Sequence, residues 1–154
     1  MNKLLYKLLL ITFSLLPATA LAESLDEILA MKEAPTGVVI EVNEPGADAL
    51  RQNMLKISDA ARKIRQLFHE LPIAVVSHGA EQISLTSKYI KKHKSLESNV
   101  KQLVSDDVDL HVCGTHASWY GVEPEDYPDY IDVSATGPAQ INDYVNTGYI
   151  MLDL

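Results

Sequence analysis

Ile73-Ala74-Val75-Val76-Ser77-His78-Gly79 is the stretch on which the fold turns. Four apolar residues in unbroken succession, closed by a polar turn with a glycine, read as a strand buried on both faces. A half-exposed strand would alternate polar and apolar residues instead. On its amino-terminal side, Ala47 to Phe68 repeats apolar residues at three-and-four spacing (Leu50, Met54, Ile57, Ala61, Ile64, then Leu67 or Phe68), which predicts a long helix with one buried face. Before that helix comes Gly37-Val38-Val39-Ile40-Glu41-Val42, a second β-branched run, ended by the turn Asn43-Glu44-Pro45-Gly46. On the other side, a less regular helical stretch covers Gln82 to Lys94 and another covers Leu96 to Ser105, with Asp106-Asp107 as a turn. Val108 to Cys113 is a third strand, Ile131 to Ser134 a fourth, and Tyr149 to Leu152 a short last one. Pro138 to Asn146 between them is a helix with proline in its first turn. Glu23 to Ala34 reads as a short amphipathic helix closed by Pro35. Apolar strands separated by helices imply an α/β fold with a five-stranded parallel sheet covered on both faces.

The amino terminus carries a different kind of signal. Lys3 and Lys7 make a short positive region, Leu8 to Leu16 is apolar, and Ala20-Leu21-Ala22 has the small-x-small pattern of a signal-peptidase site. The apolar run is too short to span a bilayer comfortably. Residues 1–22 are therefore expected to be a cleaved signal peptide, leaving 23–154 as one domain, periplasmic in a bacterium and free of the membrane after cleavage. The 154-residue chain has a net charge of −8; losing Lys3 and Lys7 takes it to −10. Without a basic stripe to neutralise phosphates, nucleic acid is not an expected partner. The one basic cluster, Lys88-Tyr89-Ile90-Lys91-Lys92-His93-Lys94, reads as the solvated end of a helix.

Export makes Cys113, the single cysteine, conspicuous. An unpaired thiol in an oxidising compartment is buried and inert, paired with another chain, or kept for its reactivity. In parallel sheets, chemistry gathers beyond the carboxyl ends of the strands. Cys113 closes the third strand and His78 closes the second, so both belong to that rim. His111 lies two residues before Cys113, on the same face of the strand. His78 and His111 are thus the candidate partners of a reactive Cys113: a histidine beside the sulfur, and the N–H groups of the Gly114-Thr115 turn, would favour an accessible thiolate. The bland alternative is a buried cysteine acting as a small hydrophobe. His111-x-Cys113-x-x-His116 offers zinc- or copper-type ligands, but in a spacing that matches no metal signature, so no metal is expected. No phosphate-binding glycine loop and no serine elbow is present, so no cofactor is expected either. Trp119, Tyr120, Tyr127 and Tyr130 are expected to pack under the loop that follows Cys113, with a pocket or subunit interface as the alternative.

The run Val112-Cys113-Gly114-Thr115-His116-Ala117-Ser118-Trp119-Tyr120-Gly121-Val122 resembles the cysteine-glycine loop of the DsrE/DsrF-like proteins of sulfur metabolism. Glu123-Pro124-Glu125-Asp126 is similar to the acidic stretch that follows that loop. Val76-Ser77-His78-Gly79, Val133 to Pro138 and Thr147-Gly148-Tyr149-Ile150 resemble the family's second strand end, its late strand-turn-helix and its closing glycine-tyrosine. The resemblance covers about Gly37 to Leu154. It implies a three-layer α/β/α subunit of flavodoxin-related topology, assembled as a homotrimer or hexamer. It also implies a cysteine at the Cys113 position that carries sulfur as a persulfide between partner proteins, as a carrier rather than a turnover enzyme. Two functions from different classes follow. One is a sulfur-handling protein using Cys113, with a sulfur donor or acceptor protein as partner. The other is a non-catalytic oligomeric binding module for a small ligand or metal, with a structural Cys113. Amino-terminal sequencing of exported protein should return Glu23; a Met1 start in the membrane fraction would contradict the export reading.

Overall fold

The computed structural model describes residues 22–154. The signal peptide expected over 1–22 therefore lies, but for Ala22, outside the described residues. Six parallel strands form one sheet: β1 (Glu23–Ser24), β2 (Gly37–Val42), β3 (Ile73–Ser77), β4 (Val108–Cys113), β5 (Asp132–Ser134) and β6 (Tyr149–Asp153), in spatial order β1-β6-β2-β3-β4-β5. Between them run α1 (Leu25–Leu29), α2 (Ala47–Leu67), α3 (Ser87–Ile90), α4 (Lys94–Ser105), α5 (Gly114–Ser118) and α6 (Gly137–Asn146), with 3-10 turns at Ala80–Leu85 and Pro124–Asp126. The five strands expected from the sequence are all present. Their order places the last strand beside the second, whereas the flavodoxin arrangement runs 2-1-3-4-5.

The sixth strand corrects the expected count of five. Glu23 and Ser24 pair with Leu152 and Asp153 at the edge of the sheet. Ser24 also starts α1 through a capping box: its hydroxyl accepts the Glu27 N–H, and the Glu27 carboxylate accepts the Ser24 N–H at 2.8 Å. The helix expected to reach Ala34 stops after Leu29, with Ile28 its single fully buried side chain. The helix expected over Gln82 to Lys94 is likewise replaced by a 3-10 turn and the single turn α3. Glu81 and Gln82 reach back to the strand ends, which tightens the backbone, and Thr86 is extended, with its hydroxyl donating to the Ile83 carbonyl.

The two faces of the sheet are covered unequally. On one face Val38, Ile40, Val42, Ile73, Val75, Leu110 and Val112 meet the buried stripe of α2 and the inner residues of α1 and α4 in one large apolar cluster. On the other, Val39, Ala74 and Val76 meet Ile141 of α6, with Tyr144, Val145, Tyr149 and Met151 around them. Strand alternation puts Asp109 and His111 on this second face. Helix α6 comes close enough to the sheet that a Cβ at Gly137 would collide with the His78 side chain, which is why glycine follows the Thr136 cap.

The register of α2 is directly testable. Met54 is fully buried and its neighbour Leu55 is exposed. Met54→Ala should lower unfolding stability by about 2–5 kcal/mol, whereas Leu55→Ala should change it by about 0.5 kcal/mol or less, both read by denaturant melting. Equal losses would contradict the placement of this helix.

Candidate functional site

The carboxyl ends of β2, β3 and β4 are bound together by two consecutive side chains from the turn after β3. Glu81 is fully buried, and its carboxylate accepts hydrogen bonds from Ser77 Oγ at 2.7 Å, Glu44 N at 2.7 Å and Gly79 N at 3.0 Å. Gly79 is required here because a Cβ would strike that carboxylate and the Glu44 backbone. Gln82, also fully buried, accepts the Cys113 N–H on Oε1 at 2.7 Å. A backbone N–H only donates, so this contact fixes the orientation of the carboxamide and leaves Nε2 as a donor with no hydrogen-bond partner among the described residues. A second buried donor without a partner among the described residues is the Tyr127 hydroxyl. Burial, and next the charge of a Cys113 thiolate, push the Tyr127 phenol well above its ordinary value, so it stays protonated.

Cys113 itself is the last residue of β4 and caps α5: its sulfur accepts the His116 N–H at 3.4 Å. Only 4% of the residue is exposed, against the sequence expectation of an accessible thiol. The hydrogen bonds to Gln82 and His116 hold it beneath the start of α5.

His78 follows β3 as expected, beside β4, and its Nε2 lies 2.6 Å from Glu41 Oε1 on β2. A carboxylate accepts, so Nε2 carries the proton. The His78 carbonyl in turn receives Nδ1–H of His116 at 2.5 Å, which ties α5 to the end of β3. His116, a loop histidine near the sulfur and a possible metal ligand from the sequence, here links the start of α5 to the end of β3. His111 has both ring nitrogens engaged away from the thiol, Nε2 with Tyr144 Oη at 2.8 Å and Nδ1 with Ser134 Oγ at 3.3 Å. With Ser134 donating its own proton to Gln140 Oε1, Nδ1–H of His111 donates to Ser134, and in the neutral ring Nε2 accepts from the Tyr144 hydroxyl. Desolvation lowers the His111 pKa, as this neutral tautomer requires, and burial pushes the Tyr144 phenol up to about 12.

Residue type alone concealed Gln82 and Glu81, whose burial depends on the 3-10 turn. Tyr127 is buried as expected, but Trp119 and Tyr120 are 73% and 55% exposed, correcting the expectation that they pack under the loop. They stand edge-on to the His116 ring instead, at 5.0 and 5.4 Å. Among the described residues, no group of three or more His, Cys, Asp and Glu side chains is arranged to hold a metal ion, and no helix is long and apolar enough to cross a membrane. A surface hollow of about 770 Å³ is lined by Arg65, His69, Glu70, Pro72 and Asp107 around the starts of β3 and β4, and holds no cysteine or serine. Chemistry rather than size therefore selects the cysteine rim.

A parallel α/β subunit with one cysteine closing an interior strand is the class that fold and site define. The chain belongs to the DsrE/DsrF-like family, whose model matches residues 37–154, a family associated with sulfur relay. The fold is similar to that of MTH1491, a protein of unknown function from Methanobacterium thermoautotrophicum, with a TM-score of 0.61 at 20% identity over 75% of this chain and 97% of that one. It is also similar to BT1422, a protein of unknown function from Bacteroides thetaiotaomicron, with a TM-score of 0.54 at 12% identity over 77% and 95% of the two chains. No curated protein matches the chain.

The relay through His111 has a pH signature. Folding disfavours its imidazolium, so the stability it contributes is intact above the unfolded value near pH 6.5 and declines as pH falls from there through the lower folded value. Between about pH 7.5 and pH 5, the wild type should lose more stability than His111→Gln in urea melts. Parallel pH profiles would mean that His111 is not held neutral.

Proposed function

We propose that this protein handles sulfane sulfur in the periplasm, accepting it on Cys113 as a persulfide and passing it to a partner protein. The observation that carries the reading is the position of the single thiol at the carboxyl end of an interior strand, held by His116 and by a buried Gln82 whose Nε2 has no partner among the described residues. Membership of a family associated with sulfur relay supports it. With a hydrodisulfide as donor, the Cys113 thiolate attacks the sulfane sulfur. One S–S bond forms to Sγ, the donor's S–S bond breaks, and its electron pair leaves with hydrosulfide, which keeps the proton. No external oxidant is consumed, because the sulfane sulfur is transferred at its own oxidation level. His78 and His111, the histidines first considered for activating the thiol, act here at one remove: His78 through its carbonyl on His116, and His111 by bracing β4 against β5 and α6.

The exposed Trp119 and Tyr120 beside this loop favour assembly, as a homotrimer or hexamer that covers the rings. The near-complete burial of Cys113 favours a second reading, an oligomeric binding module in which the thiol is structural.

Intact-mass measurement after exposure to polysulfide separates the two. The wild type should gain one or more sulfur masses that dithiothreitol removes, and Cys113→Ser should gain none. A wild type that stays unmodified while folded would leave the structural reading in its place.

A further inference from the structure

Persulfide formation moves negative charge from Sγ to the outer sulfur, roughly 2 Å further out along the S–S bond. The hydrogen bond that Sγ accepts from His116 N–H does not follow it. The outer sulfur needs donors of its own in a place from which water is largely excluded. Two buried donors have no partner among the described residues: Nε2 of the fully buried Gln82, whose Oε1 holds the Cys113 N–H, and the hydroxyl of Tyr127, a residue 4% exposed and near enough to Cys113 to feel its charge. A buried donor left without an acceptor is costly, so each of these calls for a partner. Gln82 is placed there by its own bond to the Cys113 N–H, since the same carboxamide that fixes the cysteine backbone presents its free N–H beside it.

We propose that Gln82 Nε2 and Tyr127 Oη donate hydrogen bonds to the terminal sulfur of a Cys113 persulfide, so that the site selects an anionic sulfane sulfur and holds it charged until a partner takes it. This rests on the sulfur-carrier reading and assigns the residues that would stabilise the loaded state. Donors aimed at developing charge in a dry site act most on the charged product. Tyr127 suits the task because its phenol remains protonated throughout the working pH range, with burial the first cause and the Cys113 charge the second. Glu81, whose carboxylate is saturated by Ser77, Gly79 and Glu44, stiffens the turn from which Gln82 projects and takes no part in the transfer.

The test compares Tyr127→Phe and Gln82→Glu with the wild type. Tyr127→Phe removes one hydroxyl and keeps the ring. Gln82→Glu keeps an acceptor for the Cys113 N–H and replaces the donor with an acceptor. Each is loaded with polysulfide and followed by intact mass, and in parallel the Cβ carbon shift of isotope-labelled Cys113 is titrated against pH, which needs no reagent to enter the site. In Tyr127→Phe, loading should slow by about tenfold or more, and the thiol should ionise at higher pH than in the wild type. Gln82→Glu should lose loading altogether if it folds; Tyr127→Phe carries the test if it does not. Wild-type loading with unchanged rates and an unchanged titration in Tyr127→Phe would overturn the donor pair, leave the carrier function standing, and mark the two groups as ligands of a structural water. A wild type that takes up no sulfur would instead overturn the carrier reading. In that event the persulfide assignment falls with it, and an upward shift in Tyr127→Phe would leave the hydroxyl serving the thiolate alone.

Discussion

The Glu81 carboxylate accepts three hydrogen bonds where water does not reach, from Ser77 Oγ, Gly79 N and Glu44 N, and the rim of the sheet is organised around that contact. A buried charge is tolerated only when its lone pairs are met. Meeting them requires the ends of β2 and β3 to converge and the chain after β3 to turn tightly, as a 3-10 turn rather than an α-helix. That turn delivers the next side chain, Gln82, to the amide of Cys113 at the end of β4. Three strand ends are thereby fixed by two adjacent residues, and the cysteine is positioned by the backbone hydrogen bond as much as by its own side chain.

Much of the fold was legible in the sequence because continuous apolar runs have few alternatives. Val38 to Ile40 and Ile73 to Val76 can be buried on both sides only inside a parallel sheet, and the three-and-four repeat from Leu50 to Ile64 leaves one face to bury. The two-residue strand Glu23–Ser24 has no pattern of its own and forms because β6 offers an open edge. The 3-10 turn was hidden for a similar reason. Ala80 to Leu85 scans as the start of a helix, and the competing force, side-chain hydrogen bonds from Glu81 and Gln82 to distant strand ends, depends on contacts between residues about 30 to 40 positions apart.

The candidate site was legible in part. Topology put Cys113 and His78 on one rim, and the structure places them on neighbouring strands, with His116 reaching from the cysteine's helix to the His78 carbonyl. His111 shares the strand, yet its two nitrogens serve a chain of hydrogen bonds from Tyr144 through Ser134 to Gln140, braced by the packing of Tyr144 on Tyr149. Spacing along a strand reveals the face a residue occupies; it does not reveal which partner lies across that face. Gln82 and Tyr127 escape motif reading altogether, since their significance is that, once buried, each keeps a donor with no acceptor among the described residues.

The central claim is that this rim cradles an anionic sulfur on Cys113, and the most direct measurement is a crystal structure of polysulfide-treated protein. The expected result is one additional sulfur atom bonded to Sγ, within hydrogen-bonding distance of both Gln82 Nε2 and Tyr127 Oη. An unmodified Sγ with those two donors bonded to a water molecule would contradict it, and so would an added sulfur turned away from them toward solvent.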